Sequence, residues 1–247
     1  MATTDSDLSY LVRGFKMLRE PKIRLFVALP LAINVIIFAL LMTLGFHWLG
    51  NGIAAVIGWL PEWLAFLSWI LWPLAVVLVL AIAMYSFSTV ANLIAAPFNG
   101  LLAEKVEEML TGREVQGRET LGRAIASFPG SILRELRKLL YYALFALVVL
   151  VLSFIPPISP FSGLLWFLLG AWMLALEYCD YAMDNHGLSF AESKRRLRAA
   201  RSSTLPFGLM VMLGTMVPIV NLFIMPAAVC GGTMLWVEKL QHPTSGV

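Results

Sequence analysis

The sequence predicts an all-α integral membrane protein with two long transmembrane helices, two Pro-split helical hairpins and amphipathic cytoplasmic helices. Three observations carry this prediction. The 247 residues are 60% hydrophobic and 13% charged, whereas a soluble domain carries about 25% charged residues. Four long stretches lack any Asp, Glu, Lys or Arg: Leu25–Pro61, Trp63–Ala103, Leu139–Leu176 and Ser202–Val237. All 18 Lys and Arg residues lie on one side of the topology that these stretches define. The net charge of +3 is too small to point to nucleic acid.

The chain reads as a single membrane domain over 1–247. A basic N-terminal segment, 1–24, precedes two long transmembrane helices within 25–103. The first apolar run, Leu25–Trp48, exceeds a signal-peptide core and reaches the roughly 20 residues a span requires. Gly50, Asn51, Gly52 and Pro61 are expected to break helix between the two spans, with Trp48, Trp59 and Trp63 at the interface. The second helix is expected to run through Pro97 into water and to stop at Gly112 as a C′ glycine.

A charged block, 104–138, leads to the first hairpin, 139–176, split by Pro156–Pro160. A second block, 177–201, leads to the second hairpin, 202–237, split at Met216–Asn221, and a tail covers 238–247. Each hairpin arm has about 14–18 apolar residues, short of a full span. Two geometries fit: tilted thin spans, or a hairpin that turns back within the membrane, toward which the arm lengths lean. The second requires a turn whose backbone groups are satisfied by the protein or a wet cavity. Lys and Arg number five before Leu25, seven in 104–138, five in 177–201 and one in the tail, and the opposite turns have none. The positive-inside rule therefore places the termini and both blocks in the cytoplasm. Ser189 and Glu192 form a capping-box pattern at the start of a basic helix. Arg134, Arg137 and Lys138 stand where they would snorkel.

Three groups of residues invite a functional reading. At the first helix start, Pro21 suits position N1, leaving the amides of Lys22, Ile23 and Arg24 as expected free donors. With the Lys22 and Arg24 side chains this outlines an anion site, although pattern alone favours a lipid anchor. Glu177, Asp180 and Asp184 share a helix face after an apolar run. They read as a mouth or proton relay, or, with more weight, as a solvated helix end paired with the basic helix beginning at Phe190. His186 next to them matches no established metal-ligand spacing, so no metal is assigned. Ser88, Asn92 and Asn99 form a polar stripe that serves equally as pore lining or as hydrogen-bonding glue between helices. Cys179 and Cys230 give neither a disulfide framework nor a metal motif. No catalytic constellation, and no cofactor motif, is present in the sequence.

The segments REPKIRLFVALPLAIN, NLIAAPFNGLLAEKVEEMLTG and LEYCDYAMDNHGLSFAESKRRLR, in this order and spacing, resemble the CysZ sulfate permeases of Gram-negative bacteria. Asp180–His186 is the most specific part. The resemblance covers nearly the whole chain. It implies an inner-membrane protein that imports sulfate for cysteine synthesis, assembled as a homo-oligomer, a hexamer built from dimers, without an ATP-hydrolysing partner. It also implies two partially inserted hairpins and a sulfate site at Lys22, Ile23, Arg24 and Leu25. Family members often carry two adjacent arginines here. In this chain Arg24 carries over, Leu25 occupies the second position, and Lys22 is the candidate substitute. The rival reading is a non-transporting membrane scaffold that binds anionic lipid or a partner protein.

Overall fold

A computed structural model describes residues 9–59, 66–113 and 128–241. Every extended element among them is a helix: α1 (Ser9–Met17), α2 (Pro21–Trp59), α3 (Ser68–Thr111), α4 (Phe128–Ser153), α5 (Ser162–Asn185), α6 (Phe190–Ala199), α7 (Arg201–Thr215) and α8 (Pro218–Leu235). A 3₁₀ turn, Ser159–Phe161, precedes α5, and a π-helical turn, Trp236–Leu240, follows α8. Among the described residues, four stretches are long and apolar enough to cross a membrane: Pro21–Ala55, Leu133–Ser153, Ser159–Asn185 and Phe223–Leu240. The all-α membrane class predicted from the sequence is the one observed.

The chain divides into two compact units, Ala28–Ala96 and the combination of Met1–Val27 with Pro97–Val247. In the smaller unit α2 and α3 lie antiparallel. A Cβ on Gly45 would stand 3.5 Å from Val79 and one on Gly50 3.8 Å from Trp72. The expected break at Gly50–Gly52 is absent, because α2 continues for 39 residues to Trp59. In an apolar phase an interrupted helix leaves backbone groups unpaired, which outweighs the modest helix cost of glycine. Trp48 and Trp59 are exposed, while Trp63 lies outside the described residues. α3 passes through Pro97 and ends where expected. Gly112 takes φ +67°, and its N–H donates to the Glu108 carbonyl at 2.9 Å, an αL cap open to a residue without Cβ.

In the larger unit α8 forms the centre, with Ile224, Ala227, Ala228, Val229, Cys230 and Leu235 buried. Small residues let its neighbours come to backbone contact. A Cβ on Gly14 of α1 would fall 2.0 Å from the Ala227 carbonyl oxygen, and one on Gly232 of α8 2.6 Å from that of Tyr178 on α5. A Cβ on Gly208 of α7 would likewise fall 2.0 Å from the Ala171 oxygen on α5. Residue α6 positions i, i+3 and i+7, Phe190, Ser193 and Leu197, are buried, and Ser189 caps the helix by accepting the Glu192 N–H at 3.3 Å.

The hairpins turn where the prolines predict, but the arms of the first are longer than expected. α4 has 26 residues and α5 has 24, since both helices continue through their charged ends. Its tip spends no backbone donor on solvent. The amides of Phe154, Ile155, Ile158, Ser159 and Phe161 donate to the carbonyls of Val151, Leu152, Ile155, Ile155 and Ile158. Pro156, Pro157 and Pro160 have no N–H to satisfy. Phe154 and Phe161 of this tip are exposed.

Candidate functional site

The N-terminal site is built on a tight connection between α1 and α2. The Arg19 and Glu20 amides return to the carbonyls of Lys16 and Met17 at 3.1 and 3.0 Å. Ile23 is fully buried in the core of the larger unit. It pins the start of α2, while Lys22, Arg24 and Leu25 on either side of it are exposed. The expected free amides at Ile23 and Arg24 are not found. Both donate to the Glu20 carbonyl, at 2.9 and 3.1 Å, because Glu20 enters the first turn as its cap. An anion here must therefore be gripped chiefly by side chains.

Those side chains form a cationic cluster. Lys16, Arg19, Lys22 and Arg24 are all exposed, with Glu20 as the local carboxylate. Arg24 Nε donates to the Arg19 carbonyl at 3.0 Å, which fixes the plane of the guanidinium. Its terminal nitrogens make no hydrogen bond among the described residues and suit two oxygens of a tetrahedral oxyanion. Arg13, three residues upstream of Lys16, belongs to a different structure. Its Nη1 donates to Glu238 at 3.0 Å, and Tyr10 Oη donates to the same carboxylate at 2.9 Å, tying α1 to the π-helical turn after α8.

The acidic face of α5 is drawn into a second cluster. Arg134 of α4 is bidentate on Asp180, with Nε to Oδ2 at 2.8 Å and Nη2 on Oδ1. Its Nη1 donates to the Leu188 carbonyl at 2.6 Å and pairs with Asp184 at 2.7 Å. One turn on, Lys138 meets Glu177 at 2.7 Å, Glu135 at 2.9 Å and Asp180 at 3.4 Å. Tyr181 donates to Glu177 at 3.0 Å and accepts from Asn99 of α3 at 3.3 Å. The expected partner of these acids, the basic helix starting at Phe190, contributes only Ser193, whose Oγ accepts from Arg134. The snorkelling expected of Arg134 and Lys138 is replaced by burial: Lys138 is 6% exposed, because matched carboxylates on α5 offset the loss of water.

The charge of this second cluster disfavours an anion. Two cations face four carboxylates, Glu135, Glu177, Asp180 and Asp184. Its geometry suits cross-linking of α3, α4 and α5. Asn99, the inner end of the polar stripe, is buried and engaged in it. Ser88 and Asn92 fall on α3, but their side chains lie outside the described residues. His186 turns away from the α5 acids and meets Glu107 of α3 at 2.8 Å, while Asn185 donates to the Gly100 carbonyl at 2.9 Å. Both are aimed by a Schellman end at Gly187, φ +67°. There Leu188 N–H reaches the Met183 carbonyl and Gly187 N–H the Asp184 carbonyl.

Sequence reasoning missed Arg134 and Lys138 as partners of the acidic face. The signal was present: cations at i and i+4 on α4 complement acids at i, i+3 and i+7 on α5. Glu107 and Glu238 carried no comparable sign, since their partners, His186 for Glu107 and Tyr10 and Arg13 for Glu238, lie far away in sequence.

The profile of the family described as Sulfate transporter CysZ/Etoposide-induced protein 2.4 matches residues 10–226. Among curated proteins, one named Sulfate transporter CysZ from Pseudomonas fluorescens is 45% identical over 230 residues, covering 93% of this chain and 92% of that protein. A protein of the same name from Pseudomonas paraeruginosa is 44% identical over 230 residues, covering 93% of this chain and 94% of that protein. Another from Pectobacterium atrosepticum is 43% identical over 240 residues, covering 97% and 87% respectively.

Proposed function

Since the chain belongs to the Sulfate transporter CysZ/Etoposide-induced protein 2.4 family, we propose that it is a sulfate permease, acts by transport rather than catalysis, and binds its anion at Lys22 and Arg24. The observation that carries the site is the pairing of a buried Ile23 with exposed cations on both sides. The peg holds the backbone still, and the two cations project outward with the guanidinium plane fixed by Arg19. Sulfate is a dianion with four acceptor oxygens. Arg24 supplies a planar two-pronged grip and Lys22 a movable point charge, with Leu25 as an apolar flank. Lys16 and Arg19 raise the local anion concentration from further out. A permease site must also release its ion, which suits an exposed, side-chain-only grip.

The same reading extends to location and assembly. The one-sided distribution of 18 Lys and Arg residues supports an inner-membrane protein with cytoplasmic termini, importing sulfate for cysteine synthesis. Assembly as a hexamer built from dimers is the form we propose, to be read by native mass spectrometry. In this reading the α5 acids and Asn99 hold the helices that frame the path, and ligand contact is left to the N-terminal cations.

Sulfate uptake into vesicles containing only this protein is the test. Uptake above that of empty vesicles is expected. Its absence, with the protein shown to be folded, would sink the permease reading and favour the membrane scaffold. For the site, Arg24→Ala is expected to weaken sulfate binding about tenfold, the scale of one lost charged hydrogen bond. Arg195→Ala, at a 78% exposed side chain on α6, is expected to leave binding unchanged. Equal loss in both variants would reduce Lys22 and Arg24 to general surface charge.

A further inference from the structure

A second cationic site lies on the larger unit, where α6 crosses the apolar face of α4. Lys194 and Arg198 stand at i and i+4 on α6. Among the described residues neither has a carboxylate partner, whereas their neighbours Arg195 and Arg196 are both paired with Glu192. Like charges at this spacing repel, yet both converge on Tyr141 of α4. Lys194 Nζ lies 4.5 Å from the Tyr141 ring centroid and 4.6 Å from that of Phe190. Arg198 Nη2 donates to Tyr141 Oη at 3.3 Å, and Trp172 Nε1 of α5 donates to the same oxygen at 3.1 Å. With its oxygen accepting two bonds, the hydroxyl proton of Tyr141 is left to be donated outward.

Directly along α4 from Tyr141, at i+3, i+4 and i+7, stand Leu144, Phe145 and Val148, exposed at 57%, 43% and 55%. This lane runs away from the two cations toward the uncharged tip of the hairpin. Two unpaired cations and a hydroxyl donor at the head of an exposed apolar lane match one class of molecule, an anion carrying hydrocarbon chains. We infer that Tyr141, Lys194 and Arg198 bind the phosphate of one anionic phospholipid, whose acyl chains lie along Leu144, Phe145 and Val148. A headgroup with a compensating cation, such as phosphatidylcholine, would set its ammonium against Lys194 and Arg198. This site is distinct in residues from the sulfate site and does not depend on it.

Native mass spectrometry of the full chain, with added phosphatidylglycerol or phosphatidylcholine, tests the inference. The wild type is expected to retain phosphatidylglycerol in preference to phosphatidylcholine. Lys194→Gln with Arg198→Gln should lower that affinity about fivefold for each cation removed, and Arg195→Gln should not. Lys194→Gln alone, which leaves the Arg198–Tyr141 bond in place, should show a single fivefold step if the double variant does not fold. Unchanged phosphatidylglycerol binding in the folded variants overturns the site, as does an equal loss in Arg195→Gln. Inorganic phosphate in large excess should not displace the lipid. Displacement would mean a site for a free anion and would overturn the lipid assignment.

Discussion

Asp180 is the residue on which the helix-to-helix ion cluster turns. It is 2% exposed, accepts from Arg134 and pairs with Lys138 at 3.4 Å. Asp180→Asn leaves two buried cations short of charge, and we expect a loss of about 3–5 kcal/mol, read as a lowered thermal midpoint in detergent. Replacing Arg134 and Asp180 together by apolar residues of similar volume should recover most of that loss, because no buried charge is then left unpaired: Lys138 keeps Glu135 and Glu177, and Asp184, which loses Arg134, is 45% exposed. A smaller effect belongs to Glu192. Its hydrogen bonds from Arg196 and then Arg195 hold its carboxyl below the usual carboxylate range. A folded value below the unfolded one means that its contribution to α6 is present above the ordinary carboxylate range. It fades as pH falls through the lowered folded value. A carboxylate titration by NMR should show the depression, and Arg196→Gln should relieve most of it. At this scale the sequence revealed which residues were polar and on which face they stood. It did not reveal partners, since Asp180 and Arg134 lie 46 positions apart and only the folded crossing of α4 and α5 brings them together.

At the level of helices, boundaries were legible where chain chemistry forces them and misleading where charge was used as a proxy. Pro156–Pro160 and Gly112 end helices because a missing donor and a positive φ leave no helical alternative. The end of a charge-free run is a boundary of polarity, and α4 and α5 pass through it into their ionic ends. Glycines divide in the same way. Gly52 is helical with nothing within 4 Å of an added Cβ. Gly52→Ala should therefore leave stability unchanged or raise it by up to about 1 kcal/mol. Gly208→Ala puts its Cβ against the Ala171 carbonyl and should cost about 1–3 kcal/mol by forcing α7 and α5 apart. Thermal unfolding of the two variants side by side separates a helical glycine that is incidental from one that sets a crossing distance.

On the scale of the whole molecule, hydropathy identified a membrane protein but could not sort helices that face lipid from helices that face protein. The apolar stretch in α8 is 67% buried within the protein, against 6% for that in α4. Both are charge-free over most of their length, and a sequence reading gave them the same role. The difference arises from the helices packed on α8: α5, α7 and α1, a helix of nine residues whose Tyr10, Leu11 and Gly14 close over it. One consequence is chemical. Cys179 and Cys230 are both fully buried, so a membrane-permeant maleimide should label neither in the native protein and both after denaturation. Labelling of Cys230 in a variant lacking residues 1–17, with Cys179 still protected, would show that α1 is the lid on α8.

The tip between α4 and α5 has a consequence for how this chain is made. A nascent hairpin must pass its turn through the headgroup layer before its neighbours have folded around it, and each dangling amide would then cost several kcal/mol in hydrocarbon. Three prolines and five internally committed amides leave the segment from Phe154 to Phe161 with no such donor to shed water. The hairpin can thus be handed to the bilayer as a finished piece, ahead of contacts with its neighbours. Its order of assembly is written into the tip.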